Sequence, residues 1–147
     1  MPKAEFACTT ELRVRWAEVD MQRIVFNAHY LTYIDTAIAD YWRAIEVPYP
    51  DGYVERYGND VYLRKATLEY LGSARYDDVL SVCCRVARLG RTSMTFAFEI
   101  YREREAAPLV TAELVYVNAD PATMKAAPLP GALRDRVLRY ERVAPQA

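Results

Sequence analysis

Two carboxylates, Glu18 and Asp20, stand in the run W-A-E-V-D-M-Q-R-I-V-F-N-A-H-Y from Trp16 to Tyr30, a few residues ahead of the start of a helical pattern. A helix N-terminus presents unpaired amides and the equivalent of about half a positive charge, which suits it to polarise a carbonyl oxygen. A carboxylate beside it supplies a general base or a nucleophile, so the pairing is suited to acyl transfer. Position alone also fits two solvated loop acids, which are common. Of the pair, Glu18 reads as structural or exposed, with Asp20 nearer the helix start. His29, the single histidine, reads as a packed or solvated residue early in the helix and cannot build a metal site by itself. The cysteines, Cys8, Cys83 and Cys84, form neither a disulfide framework nor a C-x-x-C pair, and no metal is expected. On a strand, Cys83 and Cys84 point to opposite faces and read as small apolar filling. Arg88 and Arg91, beside a turn, carry guanidinium groups suited to phosphate oxygens, while Asp77 and Asp78 read as turn formers.

The elements that must position these residues are legible from periodicity. Tyr30, Leu31, Ile34, Ala37, Ile38, Tyr41, Trp42 and Ile45 follow the three-four spacing of one helical face, predicting a helix over 27–46. Asn27 is the expected N-cap and Pro48 the stop. Leu31, Ile34, Ile38 and Trp42 are expected to face a sheet. Leu12, Val14 and Trp16 alternate with charged residues in a first strand. Leu80, Val82, Cys84 and Val86, a turn at 89–92, then Met94, Phe96, Phe98 and Ile100 read as an antiparallel hairpin. Residues 60–71 and 109–118 are two further strands, and 131–142 forms a short charged C-terminal helix. One long amphipathic helix and five antiparallel strands predict an α+β architecture with the sheet curled around the helix, in one domain spanning 1–147. Open sheet edges and 12 tyrosines point to pairing with a second copy.

Composition narrows the function. Nineteen Lys+Arg against 20 Asp+Glu, a net charge of -1, give no general attraction for nucleic acid. No stretch has the length and apolarity of a membrane span, and the N-terminus lacks a signal-peptide layout, so the expectation is a cytoplasmic protein without membrane or nucleic-acid partners.

The run V-D-M-Q-R-I-V-F-N-A-H-Y-L-T-Y-I-D resembles the signature of the hot-dog-fold acyl-CoA thioesterases of the 4-hydroxybenzoyl-CoA thioesterase and YbgC/FadM type, in which an Asp after the first strand precedes an Asn-or-His-x-x-Tyr at the head of the central helix. A-R-Y-D-D-V-L (74–80) and the hairpin's L-G-R-T-S are similar to later family features. The resemblance implies a hot-dog fold, a homodimer joining two sheets side by side or a homotetramer of such dimers, and active sites at the dimer interface. It implies hydrolysis of an acyl-CoA, with coenzyme A as part of the substrate and no other cofactor. Asp20 matches the catalytic carboxylate, as nucleophile or general base, and the amide of Asn27 matches the group that polarises the thioester carbonyl. Arg23, Phe26, Ala28 and Tyr30 are the expected substrate contacts around them, with Arg88 and Arg91 for the CoA phosphates. Arg23 stands where the family usually has Gly, which favours the reading that the loop is reshaped, the site narrowed, or Arg23 set against the acyl-CoA. A non-catalytic acyl-CoA-binding protein is the alternative. A hot-dog hydratase is disfavoured, because Asp20-Met-Gln-Arg lacks the Asp-x-Asn-Pro-x-His pattern.

Overall fold

The computed structural model describes residues 2–147. Five strands, β1 (Cys8–Arg13), β2 (Asp60–Tyr70), β3 (Val79–Leu89), β4 (Ser93–Arg102) and β5 (Val110–Ala119), form one sheet in the order β1-β3-β4-β5-β2, with every neighbouring pair antiparallel. Helix α1 (His29–Ala44) lies on one face, and α2 (Asp51–Tyr57) and α3 (Gly131–Tyr140) complete the helices. This is the expected α+β arrangement. The hairpin alternation is as read, since Leu80, Val82, Cys84 and Val86 of β3 and Met94, Phe96, Phe98 and Ile100 of β4 are all buried in the core under α1. Cys84 joins that core, whereas Cys83 turns to the other face with Phe6 and Tyr101.

The α1 stripe differs from expectation in one residue. Tyr30, Tyr33, Ile34, Ala37, Ile38, Tyr41 and Trp42 are buried, but Leu31 is 36% exposed because it lies on the flank of the stripe in the first turn, where nothing covers it. Tyr33 takes the inward place. The helix is also shorter than read. Its N-cap is Ala28 rather than Asn27, because the chain already turns at Phe26, whose carbonyl accepts the His29 amide at 2.9 Å. At the other end Glu46 enters the left-handed region at φ 64° and stops the helix before Pro48 is reached.

The first strand likewise ends sooner than its alternation suggested. At Val14 the chain leaves β1 and exchanges backbone hydrogen bonds with the turn before β3: Val14 N–H donates to Asp78 O at 2.9 Å and Asp77 N–H to Val14 O at 3.2 Å. Trp16 then begins a 3-10 turn and is 82% exposed. Helix α2 carries no long periodic pattern and was not legible. It is held by Tyr53, whose buried hydroxyl donates to Asn118 Oδ1 at 2.7 Å. The strand ends Tyr70, Val79, Arg102 and Val110 lie at one end of the sheet, and the segment from β1 to α1 closes over that end.

If the stripe is as described, Ile34→Ala should lower the unfolding free energy by about 2–5 kcal/mol, whereas Leu31→Ala should cost less than about 1 kcal/mol. Urea denaturation of the two variants measures the difference.

Candidate active site

The loop carrying Asp20 is a tight reversal. Val19 bridges Val25 in antiparallel fashion, Asp20 N–H donates to Ile24 O at 3.0 Å, and Arg23 N–H returns to Asp20 O at 2.9 Å. Asp20 Oδ1 accepts the Gln22 amide at 2.8 Å, a side-chain turn of the kind Asp favours. Such a reversal needs one residue at positive φ, and Arg23 supplies it at φ 64°. Arg23 therefore takes the left-handed conformation that the family's glycine allows, at a cost of about 1 kcal/mol.

The loop is fastened from the opposite side by the segment that follows β2. Val25 N–H donates to Ala74 O at 2.8 Å, Ala74 N–H donates to the Tyr30 hydroxyl at 3.0 Å, and the Tyr70 hydroxyl donates to Asn27 O at 3.3 Å. Rings of Tyr30 and Tyr70 meet edge to face at 5.7 Å. Between these parts lies a cavity of about 150 Å3 where Asp20, Asn27, Tyr30, Tyr70, Gly72 and Ser73 meet. A Cβ at Gly72 would sit 2.9 Å from Leu109 Cδ2, so a side chain there would have to displace that methyl. The N–H groups of Asn27 and Ala28, at the uncapped start of α1, have no acceptor among the described residues.

Of the residues singled out from sequence, Asp20, Asn27 and Tyr30 thus share one cavity. Arg23, Phe26 and Ala28 are exposed around the same loop and do not line it, the Phe26 ring lying edge-on to His29 at 6.0 Å. Arg88 and Arg91 are elsewhere: they flank the β3–β4 turn at the far end of the strands, with Arg88 Nε donating to the Ala147 carbonyl at 3.2 Å. An antiparallel hairpin runs its turn away from its open end, so within one copy they lie away from this cavity. Tyr70, Gly72 and Ser73 escaped the sequence reading because they belong to the end of β2 and the segment just after it, whose partners only the fold reveals.

Glu18 is structural, as read, but is buried rather than solvated. Oε1 accepts the Arg15 amide and the Tyr33 hydroxyl, each at 2.8 Å, and Oε2 accepts Arg15 Nε at 3.0 Å. Burial pushes its pKa up, but these hydrogen bonds and the Arg15 charge outweigh it and hold the carboxyl below its usual range. Its carbonyl also receives Phe26 N–H at 3.0 Å, so Glu18 is a post for the loop.

A thioesterase superfamily profile matches residues 22–108, beginning just after Asp20. The chain belongs to the thioesterase superfamily. This thioesterase is 29% identical over 119 residues, 81% of this chain and 87% of the relative, to the acyl-CoA thioester hydrolase YbgC of Escherichia coli O6:H1. It superposes with TM-score 0.79 and 25% identity on a thioesterase from Thermus thermophilus solved with coenzyme A and Zn, over 93% of this chain and 96% of that one. The fold is also that of a 1,4-dihydroxy-2-naphthoyl-CoA thioesterase from Synechocystis, at TM-score 0.80 and 20% identity over 88% and 94%. The five-stranded sheet on its helix is thus the hot-dog fold, and the thioesterase's chemistry is thioester hydrolysis. Among the described residues no group of three or more His, Cys, Asp or Glu is placed to hold a metal ion, and no helix is long and apolar enough to cross a membrane.

Because Glu18 has a lowered pKa in the folded state, its stabilising contribution is complete above its unfolded value of about 4.3 and is lost as pH falls through the folded value. Glu18→Ala should therefore cost about 2–3 kcal/mol at neutral pH, leaving the Tyr33 hydroxyl without its acceptor, and the gap from wild type should narrow in acid. Denaturant titrations across pH 3–7 read this directly.

Proposed function

We propose that this thioesterase hydrolyses an acyl-CoA at the cavity between Asp20 and the start of α1, in an assembly of two copies. The observation that carries this is the meeting, in one cavity, of a carboxylate with Asn27 at the approach to α1, where the amides of Asn27 and Ala28 lack acceptors among the described residues. With the thioester carbonyl oxygen against the amide of Asn27, Asp20 removes a proton from water as the water oxygen bonds to the carbonyl carbon. The negative charge that develops on the carbonyl oxygen meets a fixed N–H donor, worth about 3 kcal/mol in a site of this kind. Collapse breaks the carbon–sulfur bond, and the proton held by Asp20 passes to the departing thiolate. Direct attack by Asp20 on the carbonyl, followed by hydrolysis of the resulting anhydride, uses the same groups.

Size supports the second copy. A cavity of about 150 Å3 is small beside the roughly 300 Å3 or more of an ordinary ligand pocket. It opens beside β2, an edge strand with β5 as its one neighbour in the sheet, and Leu63, Tyr70 and Leu71 are exposed along that edge. A second β2 laid alongside would satisfy the open edge and wall the cavity.

Asp20→Ala and Asp20→Asn should each lower kcat by about a hundredfold or more in a thiol-release assay over short, long, branched and aromatic acyl-CoAs, with melting temperature retained. Activity within about threefold of wild type would reject the role of Asp20. Retained acyl-CoA binding with no turnover by the wild-type protein would instead favour a binding protein.

A further inference from the structure

The end of the molecule that holds the cavity also carries an aromatic pair that the catalytic groups do not use. Trp16 is 82% exposed and Tyr76 57%, unusual for such large rings. Their centroids are 6.2 Å apart and their planes tilted by 51°, so they form an open wedge rather than a closed stack. The wedge is held from behind, because Val14 and the Asp77–Asp78 turn are bonded backbone to backbone. Cations flank it. Arg75, next to Tyr76, is exposed and its guanidinium has no hydrogen-bond partner among the described residues. Arg15, next to Trp16, gives Nε to Glu18 yet leaves its side chain 75% exposed.

The two segments that carry the wedge also carry lining residues of the cavity, Asp20 and Ser73. Asp20 is four residues beyond Trp16, and Ser73 three residues before Tyr76, so the Cα separations are at most about 14 Å and 11 Å. A flexible arm of the length of pantetheine spans such distances. Exposed aromatic faces beside guanidinium groups are the chemistry that receives a purine and its phosphates, stacking being tolerant of sequence and the cations pairing with phosphate oxygens. We propose that Trp16 and Tyr76, with Arg75 and Arg15, form the subsite for the adenine and phosphates at the nucleotide end of the thioester substrate. This rests on the acyl-CoA reading above. It assigns to these residues the phosphate contacts expected of Arg88 and Arg91.

Two measurements test it, one of them independent of turnover. Trp16 is exposed whereas Trp42 is buried, so fluorescence quenching by adenosine 3′,5′-diphosphate reports the wedge. Saturable quenching should appear in the wild type, vanish in Trp16→Leu, and need about tenfold more ligand in Arg75→Gln. The absence of saturable quenching, or its survival in Trp16→Leu, would overturn the subsite even if hydrolysis were confirmed. In the kinetic arm, Tyr76→Ala should raise KM for an acyl-CoA by about tenfold, with a much smaller change for the same acyl group on pantetheine, which lacks the nucleotide. Equal losses on both substrates would mark a structural role and overturn the proposal. Should no acyl-CoA be turned over, the quenching arm still decides the subsite, which separates its failure from that of the catalytic reading.

Discussion

Both backbone groups of Ala74 are committed to the segment that carries Asp20: its carbonyl takes the Val25 amide and its amide reaches the Tyr30 hydroxyl. Ala74 is fully buried, so neither bond competes with water. Through this one residue the end of β2, the approach to β3, the reversal at 20–24 and the first turn of α1 become one rigid corner. The left-handed Arg23 is tolerable only within such a frame, since a loop left to its own preferences would relax out of that conformation.

That corner divides labour between two acids placed two residues apart. Glu18 has its carboxylate occupied by Arg15 and Tyr33, so it holds the loop and has little capacity left to accept a further proton. Asp20 carries a single bond from its own loop and faces the cavity, which leaves it able to act on a bound molecule. The two carboxylates look interchangeable in sequence. Their difference is made by Tyr33, whose inward rotation on α1 supplies the buried hydroxyl.

Much of the fold was legible because its signals are local. The alternation of β3 and β4 and the stripe of α1 each lie within one element, and the hot-dog signature fixes their order. The proximity of Asp20 and Asn27 followed from their closeness in the chain. What escaped depended on distant partners. Tyr70, Gly72 and Ser73 reach the cavity across more than forty residues of chain, and Leu31, on the flank of the stripe, is left uncovered, which periodicity does not encode. Arg88 and Arg91 show the converse, since a guanidinium beside a turn suits phosphate in sequence, but the length of the hairpin sets it at the other end of its own sheet from this cavity. Trp16 read as an inward strand residue because alternation ran on past the point where Val14 leaves β1.

The strand order β1-β3-β4-β5-β2 has a consequence for how the molecule comes to be made. β2 is the second strand to be synthesised, yet within the sheet its only neighbour is β5, the last, some forty residues later. Until β5 emerges and docks, β2 has no partner in its own chain and Leu71 and Gly72 lack Leu109, whose carbonyl receives both their amides. The wall of the cavity is thus a late product of the chain, closed by a contact of long sequence separation and correspondingly slow to form. A growing chain can fold its helix and its central hairpin early, but the corner around Ala74 acquires its full support only when almost the entire sheet is in place.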